Sequence, residues 1–91
     1  MVTRRPWRAV YTKQAKRDAR RIAEAGLREN AQALLDLLAE NPLRPRPPLA
    51  ALAGDLAGAI SRRVTIQHRL VYQVLRKERT VKVLRLWTHY E

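Results

Sequence analysis

Ninety-one residues, 46% of them hydrophobic and 30% charged, with no cysteine, describe one small domain over residues 1–91, which excludes disulfides and thiolate metal sites. Nineteen Lys and Arg against eight acids leave a formal net charge of +11, a field that favours nucleic acid, an anionic surface or a neutralising acidic protein. No apolar run approaches the roughly 20 residues of a membrane span, and no apolar stretch follows the basic start MVTRRPWRAV, so a cytoplasmic protein with no membrane partner is expected.

WRAVYT (7–12) is a β-prone run long enough for one strand. From Lys13 the spacing changes to that of a helix, with Ala15, Ala19, Ile22 and Ala23 on one stripe. Thr12 is placed to cap its start and Gly26 to end it. The opposite face carries Lys13, Lys16, Arg17, Arg20 and Arg21. A second helix is predicted over LRENAQALLDLLAEN, with Leu27, Ala31, Leu34, Leu35 and Leu38 as its stripe and Asn41-Pro42 as its stop.

Residues 42–48 hold four of the five prolines and read as an extended connector. Three strand-like segments follow. AISRRVTIQ (59–67) alternates Ile60, Val64 and Ile66 against Ser61, Arg63 and Thr65. HRLVYQVLR (68–76) alternates Leu70, Tyr72 and Val74 against Arg69, Val71 and Gln73. After the charged turn RKER, TVKVLRLWTHY (80–90) sets Lys82, Leu84 and Leu86 against Val81, Val83, Arg85, Trp87 and His89. The order β-α-α-β-β-β predicts an α+β fold, two helices packed on one face of a small, mainly antiparallel sheet.

No P-loop or glycine-rich nucleotide fingerprint is present. His68 and His89 are too few and too far apart in sequence for a metal site, so neither metal nor cofactor is expected. Arg63, Arg69 and His89 each lie opposite the main aliphatic stripe of their strand, with the Tyr90 phenol alongside. Such a set can hold a phosphodiester, stabilise charge on phosphorus and protonate a leaving 5′ oxygen. By residue type alone, such a set is more often a plain solvated or binding surface. The basic helix face has the same two readings, its charge density pointing to nucleic acid.

GDLAGAISRRVTIQHRLVYQVL and VKVLRLWTHYE resemble the Txe/YoeB group of the RelE toxin superfamily, whose members read similarly through the paired arginines and HRLVY and end in His-Tyr. The likeness extends along the whole chain in the same element order. It implies a RelE-like fold and the toxin of a type II toxin–antitoxin pair. The implied activity is that of a ribosome-dependent endoribonuclease cutting messenger RNA in the A site to a 2′,3′-cyclic phosphate. By matching position, Arg63 and Arg69 would neutralise the scissile phosphate, His89 would act as general acid, and Tyr90 would orient or stack on the substrate. Lys13, Lys16, Arg17, Arg20 and Arg21 would lie against ribosomal RNA. An antitoxin would cover the active face, and the family often forms homodimers.

The chain departs from that family at one place. The family's general-base glutamate falls at Ala50 and its neighbouring lysine at Ala51, within the stretch PPLAALAGDL. A deliberate replacement, a natural loss, or a register in which Asp55 or a ribosomal group supplies the base all fit. The expectation is a chain that binds ribosomes and cleaves poorly. Two rivals share the fold and charge: a non-cleaving ribosome or RNA binder that inhibits translation by occupancy, and a ParE-like gyrase inhibitor.

Overall fold

Thr12 decides where the first helix begins. Its backbone is extended (φ −70°, ψ 166°), and its hydroxyl accepts from the Ala15 N–H at 3.0 Å while donating to the Leu84 carbonyl at 2.9 Å. One side chain thus caps the helix and ties it to a strand 72 residues away. The computed structural model describes residues 6–44, 49–51, 58–65 and 67–88. In chain order these form β1 (Arg8–Tyr11), α1 (Lys13–Glu24), α2 (Arg28–Glu40), β2 (Leu49–Ala51), β3 (Ile60–Arg63), β4 (Arg69–Leu75) and β5 (Thr80–Thr88).

Gly26 ends α1 at φ 76°. The Leu27 N–H reaches the Ile22 carbonyl at 2.9 Å and the Gly26 N–H the Ala23 carbonyl at 3.1 Å, a left-handed cap that a side chain at this φ would strain. α2 has no side-chain cap at Leu27, but Glu29 lies in its first turn, where a carboxylate complements the helix dipole. It stops at Asn41, whose side chain accepts from the Leu43 N–H at 3.0 Å.

The strands form one sheet in the order β1-β5-β4-β3-β2, with β1 parallel to β5 and every other pair antiparallel. Ala15, Ile22, Ala31, Leu34 and Leu38 from the helices meet Leu70, Tyr72, Val81, Val83 and Leu86 in the core. Each large aliphatic side chain buried there contributes about 1.5–3 kcal/mol. Among the described residues no helix is long and apolar enough to cross a membrane.

Three expectations need correction. The order β-α-α-β-β-β lacks one strand: just after the connector at 42–48, Leu49, Ala50 and Ala51 pair with Arg62, Ser61 and Ile60 as a fifth, edge strand. The strict alternation read for residues 80–90 breaks, because the β4–β5 pairing shifts register between Arg69 and Val71 and again between Val71 and Tyr72. Such irregularities change the phase of a strand, and so Val81, Val83 and Leu86 all reach the same core. Ala23, placed on the apolar stripe of α1, is exposed.

That stripe instead carries a carboxylate. Asp18 lies between Ala15 and Ile22 and is 2% exposed. It accepts from the Leu86 N–H at 3.0 Å and from Arg85 Nε at 2.8 Å. A shifted register leaves ladder amides in need of other acceptors, and Asp18 supplies one from the helix above.

Candidate nucleic-acid interface

Leu70 and Tyr72 belong to the core beneath the helices, so alternation puts Arg69 on the opposite face of the sheet. Arg63 of β3 is its direct cross-strand partner, and Thr88 of β5 its partner on the other side. Arg63 is exposed and Arg69 half-buried. Like charges directly opposite one another oppose pairing. An anion between them reverses that sign, and two guanidinium forks match the oxygens of a phosphate. Arg69 Nη1 also donates to Ser61 Oγ at 3.4 Å, which draws its guanidinium along the sheet toward β3.

The two arginines are held at the ends of their strands by a short turn built on Thr65. Thr65 Oγ1 lies 2.8 Å from His68 Nδ1 and accepts from the backbone N–H groups of Gln67 and His68, each at 3.2 Å. The Val64 and Thr65 N–H groups both donate to the His68 carbonyl, at 2.8 and 3.2 Å. His68 is buried and serves this turn. Among the described residues no group of three or more His, Cys, Asp or Glu could hold a metal ion.

Position 50 falls beside this site. Ala50 is the Cα partner of Ser61, the residue whose hydroxyl receives Arg69. Strand spacing puts it about 5 Å from β3 and about 10 Å from β4.

The other arginine of the pair goes the opposite way. Arg62 is 0% exposed. Its Nε donates to Tyr72 Oη at 2.8 Å, and its Nη2 donates to the Pro42 carbonyl at 3.1 Å and the Arg44 carbonyl at 2.6 Å. The Tyr72 hydroxyl donates to the same Pro42 carbonyl. Burial pushes the Tyr72 hydroxyl above its ordinary pKa, opposed in part by the hydrogen bond and charge of Arg62. Arg62 is also the backbone partner of Leu49. Both the exit from α2 and the start of β2 are therefore fastened at this one residue. Its parity with Ile60 and Val64 was the sequence signal for an inward side chain.

His89, Tyr90 and Asp55 lie outside the described residues. Lys13, Lys16, Arg17, Arg20 and Arg21 are all exposed, on the side of α1 away from its buried residues Ala15, Asp18 and Ile22. They face away from the sheet, whereas Arg63 and Arg69 lie on the face the helices do not cover. These two sets of described cations thus lie on opposite sides of the molecule.

Residues 9–91 match the family model described as the ParE toxin of the type II toxin-antitoxin system parDE. Among solved structures, the YoeB/ParE toxin from Agrobacterium tumefaciens is 28% identical, with a TM-score of 0.80 over 91% of this chain and 99% of its own. The YoeB–YefM complex from Staphylococcus aureus is 26% identical, with a TM-score of 0.75 over 90% and 95%. The toxin–antitoxin complex RelBE2 from Mycobacterium tuberculosis is 28% identical, with a TM-score of 0.71 over 93% and 99%. No curated protein sequence is matched significantly.

Proposed function

The chain belongs to the ParE toxin family of type II toxin–antitoxin systems, and from that premise we propose that its helix-free face handles the RNA phosphodiester as a ribosome-dependent messenger-RNA endonuclease does. The observation that carries the reading is the cross-strand pair Arg63–Arg69, tied through Ser61 to position 50. RNA brings its own nucleophile. The 2′ oxygen forms a bond to phosphorus, the bond from phosphorus to the 5′ oxygen breaks, and a 2′,3′-cyclic phosphate remains. Arg63 and Arg69 hold the non-bridging oxygens as negative charge builds on them. His89 gives its proton to the departing 5′ oxygen, and Tyr90 packs on the nucleotide.

The proton of the 2′ hydroxyl needs an acceptor, and Ala50 has none. Loss of a positioned general base costs about 10²–10⁴ in rate. Restoring Ala50→Glu should therefore raise A-site cleavage on purified ribosomes by about that factor, and Arg69→Ala in the restored chain should remove the gain. Full-speed cutting by the chain as it stands would overturn the assignment of position 50. If inhibition rests on occupancy alone, His89→Ala leaves growth inhibition intact.

By analogy with the YoeB–YefM and RelBE2 complexes, the cognate antitoxin neutralises the arginine face with an acidic or amphipathic segment. One observation favours a second reading: the matched family is that of ParE, which points to gyrase inhibition. A supercoiling assay separates the two, since an endonuclease leaves gyrase untouched.

A further inference from the structure

The turn joining β4 to β5 carries charge that the chemistry above does not use. Arg76, Lys77, Glu78 and Arg79 are all exposed. Arg8, exposed at the start of β1, adjoins them through its N–H, which donates to the Arg79 carbonyl at 3.0 Å. Pro6, Arg8, Lys77, Glu78 and Arg79 line an open cleft of about 370 Å³. With Arg76 at the turn's start, four cations stand there among the described residues, beside the carboxylate of Glu78.

Arg79 has an unusual backbone. Its φ is 45°, the left-handed region in which glycine sits without strain and an arginine does not. The turn closes through the Arg79 N–H to the Arg76 carbonyl at 3.2 Å. The Arg79 guanidinium lies 4.9 Å from the Trp7 ring centroid, and the Trp7 backbone N–H donates in turn to the Ala39 carbonyl at 2.7 Å. This cation is therefore fixed before any ligand arrives, and the ordering cost a mobile side chain meets on binding is already met. A costly backbone that presents a pre-set cation is the kind of strain found at binding sites.

We propose that this turn is a second anion site, and that it takes backbone phosphates of a folded RNA. β5 runs from Thr80 at the turn to Thr88 beside Arg69. Eight residue steps of about 3.4 Å separate the two cationic sites by about 27 Å. A single scissile phosphate cannot touch both, whereas a structured RNA presents phosphates over such distances. The turn residues 76–79 include no apolar side chain to enter a bilayer. The proposal rests on the RNA-binding half of the function above and is independent of cleavage.

Binding of small ribosomal subunits across a salt series tests it, with Lys77→Gln combined with Arg79→Gly. The glycine relieves the backbone while deleting the Trp7 stack, so the unfolding midpoint should shift by no more than about two degrees. Affinity should fall about tenfold, and the slope of log affinity against log salt should flatten by about one to two. Lys77→Gln alone, at an exposed position, should give about half that flattening and serves if the double variant does not fold. Arg69→Ala measured alongside in the Ala50→Glu chain reads the cleavage site separately, because it should remove the restored cutting while leaving the turn's share of the salt slope in place. An unchanged affinity and slope in a folded variant overturns the proposal. So does tight binding of the parent chain to phosphatidylglycerol vesicles that the double variant loses while keeping its ribosome affinity.

Discussion

Arg62 and Arg63 are consecutive residues on one short strand, and the sheet puts them to opposite uses. On the helix side, Arg62 is fully buried and fastened to Tyr72 and to the carbonyls of Pro42 and Arg44. On the other side, Arg63 is exposed and stands directly across from a second cation, Arg69. One face spends its arginine on stability, and the other holds two positive charges side by side. Strand parity and the groups lying opposite decide which arginine is structural and which is available to a ligand.

The largest effect that could break this contrast is at Arg62. Arg62→Ala removes a buried guanidinium, leaves a cavity, and takes one donor each from the Tyr72 hydroxyl and the Pro42 and Arg44 carbonyls. The expected loss is about 3–5 kcal/mol of unfolding free energy, read from urea denaturation. A loss below about 1 kcal/mol would mean that the exit from α2 and the start of β2 do not depend on this residue. Next in size is Asp18→Ala. It deprives the Leu86 N–H and Arg85 of their acceptor, but the Arg85 side chain is 36% exposed and can turn to water. The cost should therefore stay near 2 kcal/mol, below the range for a fully buried pair.

Part of this was legible in the residues and part was not. Thr12, Gly26 and Asn41-Pro42 marked the helix ends because each acts through local backbone geometry, and β3 to β5 showed their alternation. β2 gave no such signal: Leu49-Ala50-Ala51 has weak intrinsic strand preference, and backbone pairing to an open sheet edge makes it a strand. The phase change in β5 arises from its register against β4, which no residue type announces. Parity grouped Arg62 with Ile60 and Val64, but its charge suggested surface, and its partners lie 10 to 20 residues away. Asp18 sat three residues after Ala15 and four before Ile22, a carboxylate on an apolar stripe that asked for a buried donor. Alternation put Arg63 and Arg69 on one face, and the register makes them direct partners. Thr65 and His68, which shape the turn between them, fell at the end of one predicted strand (59–67) and the start of the next (68–76), both of which the structure shortens.

A smaller effect separates the helix side from the open face by pH. The Tyr72 hydroxyl is raised by burial, and Tyr11 is raised by burial and then by Asp36. Both stay protonated in the folded chain above the ordinary value of 10.0, where the unfolded chain has begun to lose these protons. The unfolded state then binds fewer protons, so stability falls as pH rises past that value. Below it the contribution is fully present. Tyr72→Phe should lower stability at neutral pH by about 1–2 kcal/mol through the lost hydrogen bonds, and should flatten the alkaline decline, leaving Tyr11's share. An equally steep decline in both proteins would show that the Tyr72 hydroxyl ionises as freely folded as unfolded.

The smallest stability effect is the most diagnostic of the contrast. Arg63→Ala removes an exposed side chain from a like-charge cross-strand pair, so it should leave unfolding free energy within about 0.5 kcal/mol, with stabilisation the favoured sign. The same change should weaken RNA affinity and reduce its salt slope by about one contact. Arg62→Lys should do the reverse, lowering stability while the salt slope of the folded fraction stays as it was, since an inward cation meets no phosphate. Measured together by denaturation and salt-dependent binding, the two neighbours should exchange roles between the assays. If Arg63→Ala destabilises the fold as much as Arg62→Lys does, the open face is held together by its arginines, and their availability to a phosphate is lost as an explanation.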